Sequence, residues 1–381
     1  MTCRVKPDND TLPMEENNEY LTTQLITYLG NKRRLLGNIE KEIQEISKAL
    51  GGKKLVCADL FSGSGVVARL LKKYSSTLIA NDLENYSRIL NECYLTNKSD
   101  FPASRYNKLY NQIQAACTQK KISGIITKNY APKNDKNIQA GERVFYTHQN
   151  AQLIDTYRTL TDRLVPPELQ KFFLAPLITE ASVHVNTSGV FKGFYKDRTT
   201  GIGCFGGKGK NALTRIQGSV ILQKPVLSNF DCNVQIFQED AVVLAQSSAI
   251  KGLDIAYLDP PYNQHPYGSN YFMLNLILKN KLDVEISRVS GITQDWNRSD
   301  FNKRARVMNS MEAIVAPLDS KYIIVSYNSE GFINFDEMSQ MLKKYGKLKT
   351  VEIAYNTFRG SRHLQNRDIH VKEYLFILKK S

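Results

Sequence analysis

The chain predicts an α/β fold, a doubly wound, largely parallel sheet with a second domain inserted into it, and three stretches carry that prediction. Residues 54–71 read as strand, glycine turn and helix: an apolar run ending at Asp59, then Leu60-Phe61-Ser62-Gly63-Ser64-Gly65, then Val67, Leu70 and Leu71 at helical spacing. Residues Ile255, Ala256, Tyr257 and Leu258 are apolar in succession, as in a strand buried on both faces, and end abruptly in Asp259-Pro260-Pro261-Tyr262. Between these stretches, from about Ser99 to Cys232, the strand–helix alternation stops, and it resumes at Val234.

At 381 residues the chain has room for two domains at a prior of roughly 150 residues each. A net charge of +14 argues for a polyanionic partner, nucleic acid first. Solubilising surface charge is the plainer alternative. The cysteines at 3, 57, 93, 117, 204 and 232 form no CxxC pair, which fits a reduced, cytoplasmic protein. No apolar run approaches the ~20 residues of a membrane span, and the polar start lacks a signal-peptide core. The histidines show no ligand spacing, so no metal is assigned.

Taken in order, residues 1–20 are polar and are expected to be a loose tail. Tyr28-Leu29-Gly30-Asn31-Lys32 turns into a helix with Leu36, Ile39, Ile43, Ile46 and Leu50 on one face, stopped by Gly51 and Gly52. The strand to Asp59 follows. A second strand, 77–81, delivers Asp82, the acidic position about 20 residues past a glycine turn that bonds ribose in related folds. A helix cap is the competing reading, since 84–97 is patterned as a helix. Helices are expected at 153–164 and 168–181. Between Gly189 and Gly218, Lys192, Lys196, Arg198, Lys208, Lys210 and Arg215 are interleaved with aromatics and glycines, a composition suited to phosphate contact, or to a solvated loop. Strands are expected at 234–237, ending near Asp240, and at 322–325. A last pair, 351–355 and 373–378, flanks a basic loop with Arg359 and Arg362. No internal repeat is evident.

The chemistry concentrates at strand ends. Two prolines fix the backbone after Asp259, so the Asp259 carboxylate, the Pro260 carbonyl and the Tyr262 ring form a rigid array at the carboxyl edge of the sheet. Two acceptors beside an aromatic ring suit a planar amino group on a heterocycle. A strand end with a stiff turn would read alike. At the glycine turn, Asp59 would repel phosphate and welcome a ligand with an amino group and positive charge, pointing away from NAD and toward S-adenosylmethionine. Asn263 and Tyr271 follow in a polar, aromatic loop beside the proposed site.

On Asp-Pro-Pro-Tyr at 259–262, Asp-Leu-Phe-Ser-Gly-Ser-Gly at 59–65 and Tyr-Leu-Gly-Asn-Lys at 28–32, the chain resembles the Dam-like (D12) adenine-N6 DNA methyltransferases of restriction-modification systems. Asn31 stands where that family usually has a second glycine. Asn263, Pro266, Tyr267, Asn270 and Tyr271, with 188–194, are similar to methylases paired with type IIS restriction enzymes. The resemblance implies a Rossmann-like, seven-stranded S-adenosylmethionine-dependent sheet whose final strand is antiparallel. It divides the chain into a catalytic part at 21–97, a target-recognition domain at 98–232 and a second catalytic part at 233–381. It places Tyr28, Gly30, Lys32, Asp59, Phe61, Ser62, Gly63 and Gly65 at the cofactor, Asp82 at its ribose and Asp240 at its adenine. Asp259 also borders the cofactor, and with Pro260 and Tyr262 it is catalytic. Lys192, Lys196, Arg198, Lys208, Lys210, Arg215, Asn263, Tyr271, Arg359 and Arg362 would face double-stranded DNA. Methylation of cytosine N4 or of RNA, or a non-catalytic DNA-binding protein on this fold, are the alternatives.

Overall fold

The computed structural model describes residues 15–207, 209–210, 212–356 and 370–381. Seven strands form one sheet: β1 (Leu55–Asp59), β2 (Ser75–Asn81), β3 (Asn233–Phe237), β4 (Leu253–Leu258), β5 (Ser320–Asn328), β6 (Gly346–Asn356) and β7 (His370–Lys380), in spatial order β3-β2-β1-β4-β5-β7-β6. The first five are mutually parallel, and β7 runs antiparallel between β5 and β6. The strand order reverses between β1 and β4, where such sheets open a crevice for ligands at their carboxyl edge.

Alternating side chains explain the layers. Cys57, Ile255 and Tyr257 face the helices 36–49 and 66–72, whereas Ala58, Ala256 and Leu258 face helices 241–246, 307–315 and 335–343. All six residues of β4 are buried, the signature read from its continuous apolar run. The helix Leu36–Ala49 ends where Gly51 and Gly52 take φ of +87° and +71°.

Between the helix Asn85–Tyr94 and β3 lies the inserted block, with long helices Ala103–Gln119, His148–Leu164 and Pro167–Val183. The first of these escaped the sequence reading because its buried side, Tyr106, Ile113 and Cys117, is thin in an otherwise polar segment. The core of this block is continuous with Tyr86, Leu90 and Tyr94 before it and with Tyr271–Leu278 after the fourth strand. Of the segment expected to be a tail, residues 15–20 are described. Asn18–Thr22 is helical, and the buried Tyr20 donates to the Tyr94 carbonyl at 2.8 Å.

Candidate active site

Three adjacent strands deliver three carboxylates to one edge: Asp59 ends β1, Asp82 follows β2 and Asp259 follows β4, with Asp59 in register with Tyr257. The loop between β1 and its helix needs glycine at Gly63 (φ +51°), where a Cβ would lie 2.7 Å from the Tyr28 ring. Asp82 braces that loop, accepting from the N–H of Gly63 at 2.8 Å and of Glu84 at 2.9 Å. Two bonds leave a carboxylate with acceptor capacity to spare, and Asp82 also lines the cleft. Asp82 therefore combines a structural bond of the kind a cap makes with a position open to a ligand.

The Tyr-Leu-Gly segment is fastened to the loop after Asp259. Tyr28 stacks on Tyr267 and Tyr271 with ring centroids 4.9 and 5.0 Å apart. The Leu29 N–H donates to the Tyr271 hydroxyl at 2.7 Å, and the Tyr267 hydroxyl donates to the Leu29 carbonyl at 2.9 Å. Gly30 beside them has φ +72°, and a Cβ there would sit 3.3 Å from the Tyr262 hydroxyl. Two motifs far apart in the chain thus form one wall.

Lys32, which the sequence reading placed at the cofactor, is buried between two carboxylates, with Nζ 3.0 Å from Asp259 and 2.8 Å from Glu373. Glu373 reaches this edge because β7 is antiparallel, so its early residues lie beside the end of β5. There Ser326 donates to Glu373 at 2.7 Å. Burial works against charge on Lys32, but Asp259 and Glu373 outweigh it and hold the ammonium well above its usual range. Burial pushes Asp259 up to about 7, with Lys32 pulling down and Glu373 pushing up. Tyr262 is half-buried, edge-on to Tyr327 at 6.3 Å, with the Lys32 ammonium 5.9 Å from its ring centroid.

The cleft at this edge measures about 880 Å³ with its open mouth. Of the cofactor residues expected from sequence, all but Gly65, which caps the following helix, line it. Glu84, Glu239, Asn297, Ser299, Phe301 and Asn302 also line it and were not anticipated. Phe301 packs edge-on against Phe61 at 5.1 Å, forming an aromatic pair at the wall. Asp240 also caps the helix Ala241–Gln246 by accepting from Val242. Burial raises Asp82 to about 6 and Glu84 to about 7, and burial with Asp259 nearby raises Asp59 well above the carboxylate range. Lys32 is the only cation among the described lining residues. This excess of buried carboxyl groups fits a ligand bearing a sulfonium and an ammonium, whose charge would favour their ionised forms, and the aromatic pair fits its heterocycle.

The residues expected at nucleic acid divide. Lys196, Arg198 and Lys210 are exposed, and Lys192 is half-buried with its charge bearing on His265 of the loop after Asp259. Two expectations need correction. Tyr271 is fully buried, holding Leu29, and has no surface to offer DNA. Arg215 is half-buried and donates to the carbonyls of Val183, Val185 and Thr187, so its guanidinium is anchored on the fold's own backbone. Asn263 shapes its own turn, accepting from the His265 N–H at 2.9 Å while its carbonyl accepts from Asn302. Lys208, Arg359 and Arg362 lie outside the described residues.

A strand-order reversal flanked by a glycine loop and an Asp-Pro-Pro-Tyr corner defines a methyltransferase of the Rossmann-like class. Residues 28–341 match the model of the D12 class N6 adenine-specific DNA methyltransferases, and the chain belongs to that family. It is 31% identical to the type II methyltransferase M.CviAII of Paramecium bursaria Chlorella virus 1, over 93% of this chain and 98% of that one. It is 29% identical to the type II methyltransferase M.NlaIII of Neisseria lactamica, over 93% and 100%. Similarity to the modification methylase StsI of Streptococcus sanguinis, at 26% identity, covers 93% of this chain and 52% of that one. DNA is thus the substrate. No helix among the described residues is long and apolar enough to cross a membrane.

Proposed function

We propose that this enzyme uses S-adenosylmethionine to methylate an adenine turned out of duplex DNA, as the modification partner of a restriction enzyme that shares its recognition sequence, in the cytoplasm. The supporting observation is the set of buried carboxyl groups around a single lysine, at the Asp-Pro-Pro-Tyr corner. When bound, S-adenosylmethionine supplies an electrophilic methyl group.

The chain's own residues do the rest. Asp59, Asp82 and Glu84 provide the negative field that holds a cationic ligand, with Asp82 or Glu84 at the ribose, and Phe61 with Phe301 provides the aromatic wall. The adenine amino nitrogen is a poor nucleophile because its lone pair is delocalised into the ring. The Asp259 carboxylate and Pro260 carbonyl accept its two N–H bonds and favour the pyramidal, partly positive nitrogen of the transition state. Glu373 gives Lys32 a second anchor, so Lys32 opposes the effect of burial and favours the ionised form of Asp259 without claiming it alone. Tyr262 receives the extruded base by stacking. The methylated ammonium is acidic and loses its proton without a strong base.

Incubation with duplex DNA and methyl-tritiated S-adenosylmethionine, followed by nucleoside analysis, tests this reading. Label in N6-methyladenine is expected. Label in N4-methylcytosine, or DNA binding without incorporation, overturns it.

A further inference from the structure

Two short hairpins share one hydrogen-bond frame and one sequence pattern. In the first, Lys196 bridges Gly203, the Asp197 N–H donates to the Ile202 carbonyl at 2.8 Å, and the Gly201 N–H donates to the Asp197 carbonyl at 3.0 Å. In the second, Ile286 bridges Thr293, Ser287 N–H donates to Ile292 at 2.8 Å, and Gly291 N–H donates to Ser287 at 2.9 Å. The fifth turn residue is glycine in both, with φ +70° at Gly201 and +69° at Gly291. Asp197-Arg198-Thr199-Thr200-Gly201-Ile202 therefore parallels Ser287-Arg288-Val289-Ser290-Gly291-Ile292. The match is too short and too widely separated to register as a repeat in the sequence.

The two turns are seated side by side. The Arg143 guanidinium donates to the carbonyls of Ser287 and Arg288 at 3.3 Å, and the next residue, Val144, packs where a Cβ on Gly203 would go. Each turn is also stiffened from within. The Asp197 carboxylate accepts from the N–H groups of Thr199 and Thr200, and Ser287 bonds Ser290 and Ile292. At the second position of each turn stands an exposed arginine, Arg198 and Arg288. No hydrogen bond or ion pair ties either guanidinium to the described residues. The first hairpin is tied to the loop after Asp259, and the second follows that loop in the chain. The strand of chain entering the first is bonded at Phe191 to the Asn270 carbonyl at 2.7 Å, and helix Phe272–Lys279 leads to the second.

We infer that the hairpins 196–203 and 286–293 are a paired clamp on duplex DNA, with Arg198 and Arg288 each neutralising a backbone phosphate. A single free arginine on a loop is ordinary solvated surface. Two built from one frame on a common seat, in an enzyme whose substrate is a polyanion, make a repeated, pre-ordered contact whose entropy cost on binding is low. Lys196 and Lys210, near the first hairpin in the chain, are also exposed. The inference rests on DNA being the substrate and is independent of the roles assigned to Asp259 and Tyr262.

Arg198→Ala, Arg288→Ala, the double variant and Arg288→Lys test the clamp, with binding measured across a salt series on one duplex that carries the recognition sequence and one that lacks it. Each phosphate contact contributes about −0.9 to the slope of log K against log salt. Each alanine is expected to flatten the slope by about that amount on both duplexes, the double variant by about twice that, and Arg288→Lys to restore it. An unchanged slope in Arg288→Ala overturns the inference. So does a loss confined to the cognate duplex, which would make Arg288 a reader of bases.

Discussion

Lys32 Nζ lies 3.0 Å from the carboxylate of Asp259 and is held there from behind by Glu373 at 2.8 Å. The group proposed to accept a hydrogen bond from the substrate amine therefore belongs to a buried triad of two carboxyl groups and one ammonium. Asp59, Tyr257 and Tyr267 also face Asp259.

The triad sets a pH dependence. Burial raises Asp259 to about 7, so lowering the pH through 7 protonates the acceptor, and the single-turnover rate should fall with a one-proton slope. Glu373→Gln removes a like charge and should move this limb to lower pH. Lys32→Met removes the opposing charge and should move it upward, slowing the reaction at pH 7 about tenfold per unit moved. Shifts in the same direction, or none, would contradict the arrangement.

Cofactor binding should couple to protons in the same sense, weakening at low pH. Asp82 is raised to about 6 and Glu84 to about 7, and a bound cation pulls both down. Binding then releases protons, and affinity should rise between about pH 5 and 8, roughly one unit either side of this pair. Calorimetry in buffers of different ionisation enthalpy reads the sign directly, and proton uptake would refute the cationic-ligand reading. Asp82→Ala should weaken binding roughly ten- to hundredfold, the size of a lost charged hydrogen bond.

Gly63→Ala tests the loop. Its φ of +51° and the Tyr28 ring 2.7 Å from a built Cβ both oppose a side chain, the first alone at about 1–2 kcal/mol. Calorimetric melting should show a lower Tm, and cofactor affinity should fall with it. A variant as stable and as tightly binding as the parent would show that Tyr28 does not sit against the loop.

What the sequence revealed follows the range of the interactions. The strand ends at Asp59, Asp82 and Asp259 and the stop at Gly51 were legible because apolar runs and glycines are local signals. Glu373 was invisible because its partner, Lys32, lies at the other end of the chain and only an antiparallel β7 joins them. Arg215 was read as a DNA contact from composition, which does not distinguish a guanidinium facing phosphate from one bonded to carbonyls, and Tyr271 from its place in the loop after Asp259, which does not distinguish a surface tyrosine from one clasping Leu29. The arginine of the second hairpin, Arg288, was missed because its frame is defined by backbone bonds.

Tyr262 tests the extruded base. With 2-aminopurine at the target, Tyr262→Ala should bind cognate DNA with a brighter probe and methylate adenine about ten- to a hundredfold more slowly, since base–aromatic stacking is worth roughly 1–3 kcal/mol. Tyr262→Trp should keep most activity. Equal single-turnover rates for all three would exclude Tyr262 as the platform.

The most direct test of the proposed chemistry is Asp259→Ala, assayed for single-turnover methyl transfer to duplex DNA alongside cofactor binding by calorimetry. The expected result is loss of transfer with cofactor affinity largely retained, because Asp259 serves the target amine. Near-normal transfer by the folded variant would contradict the assignment of Asp259 as the acceptor.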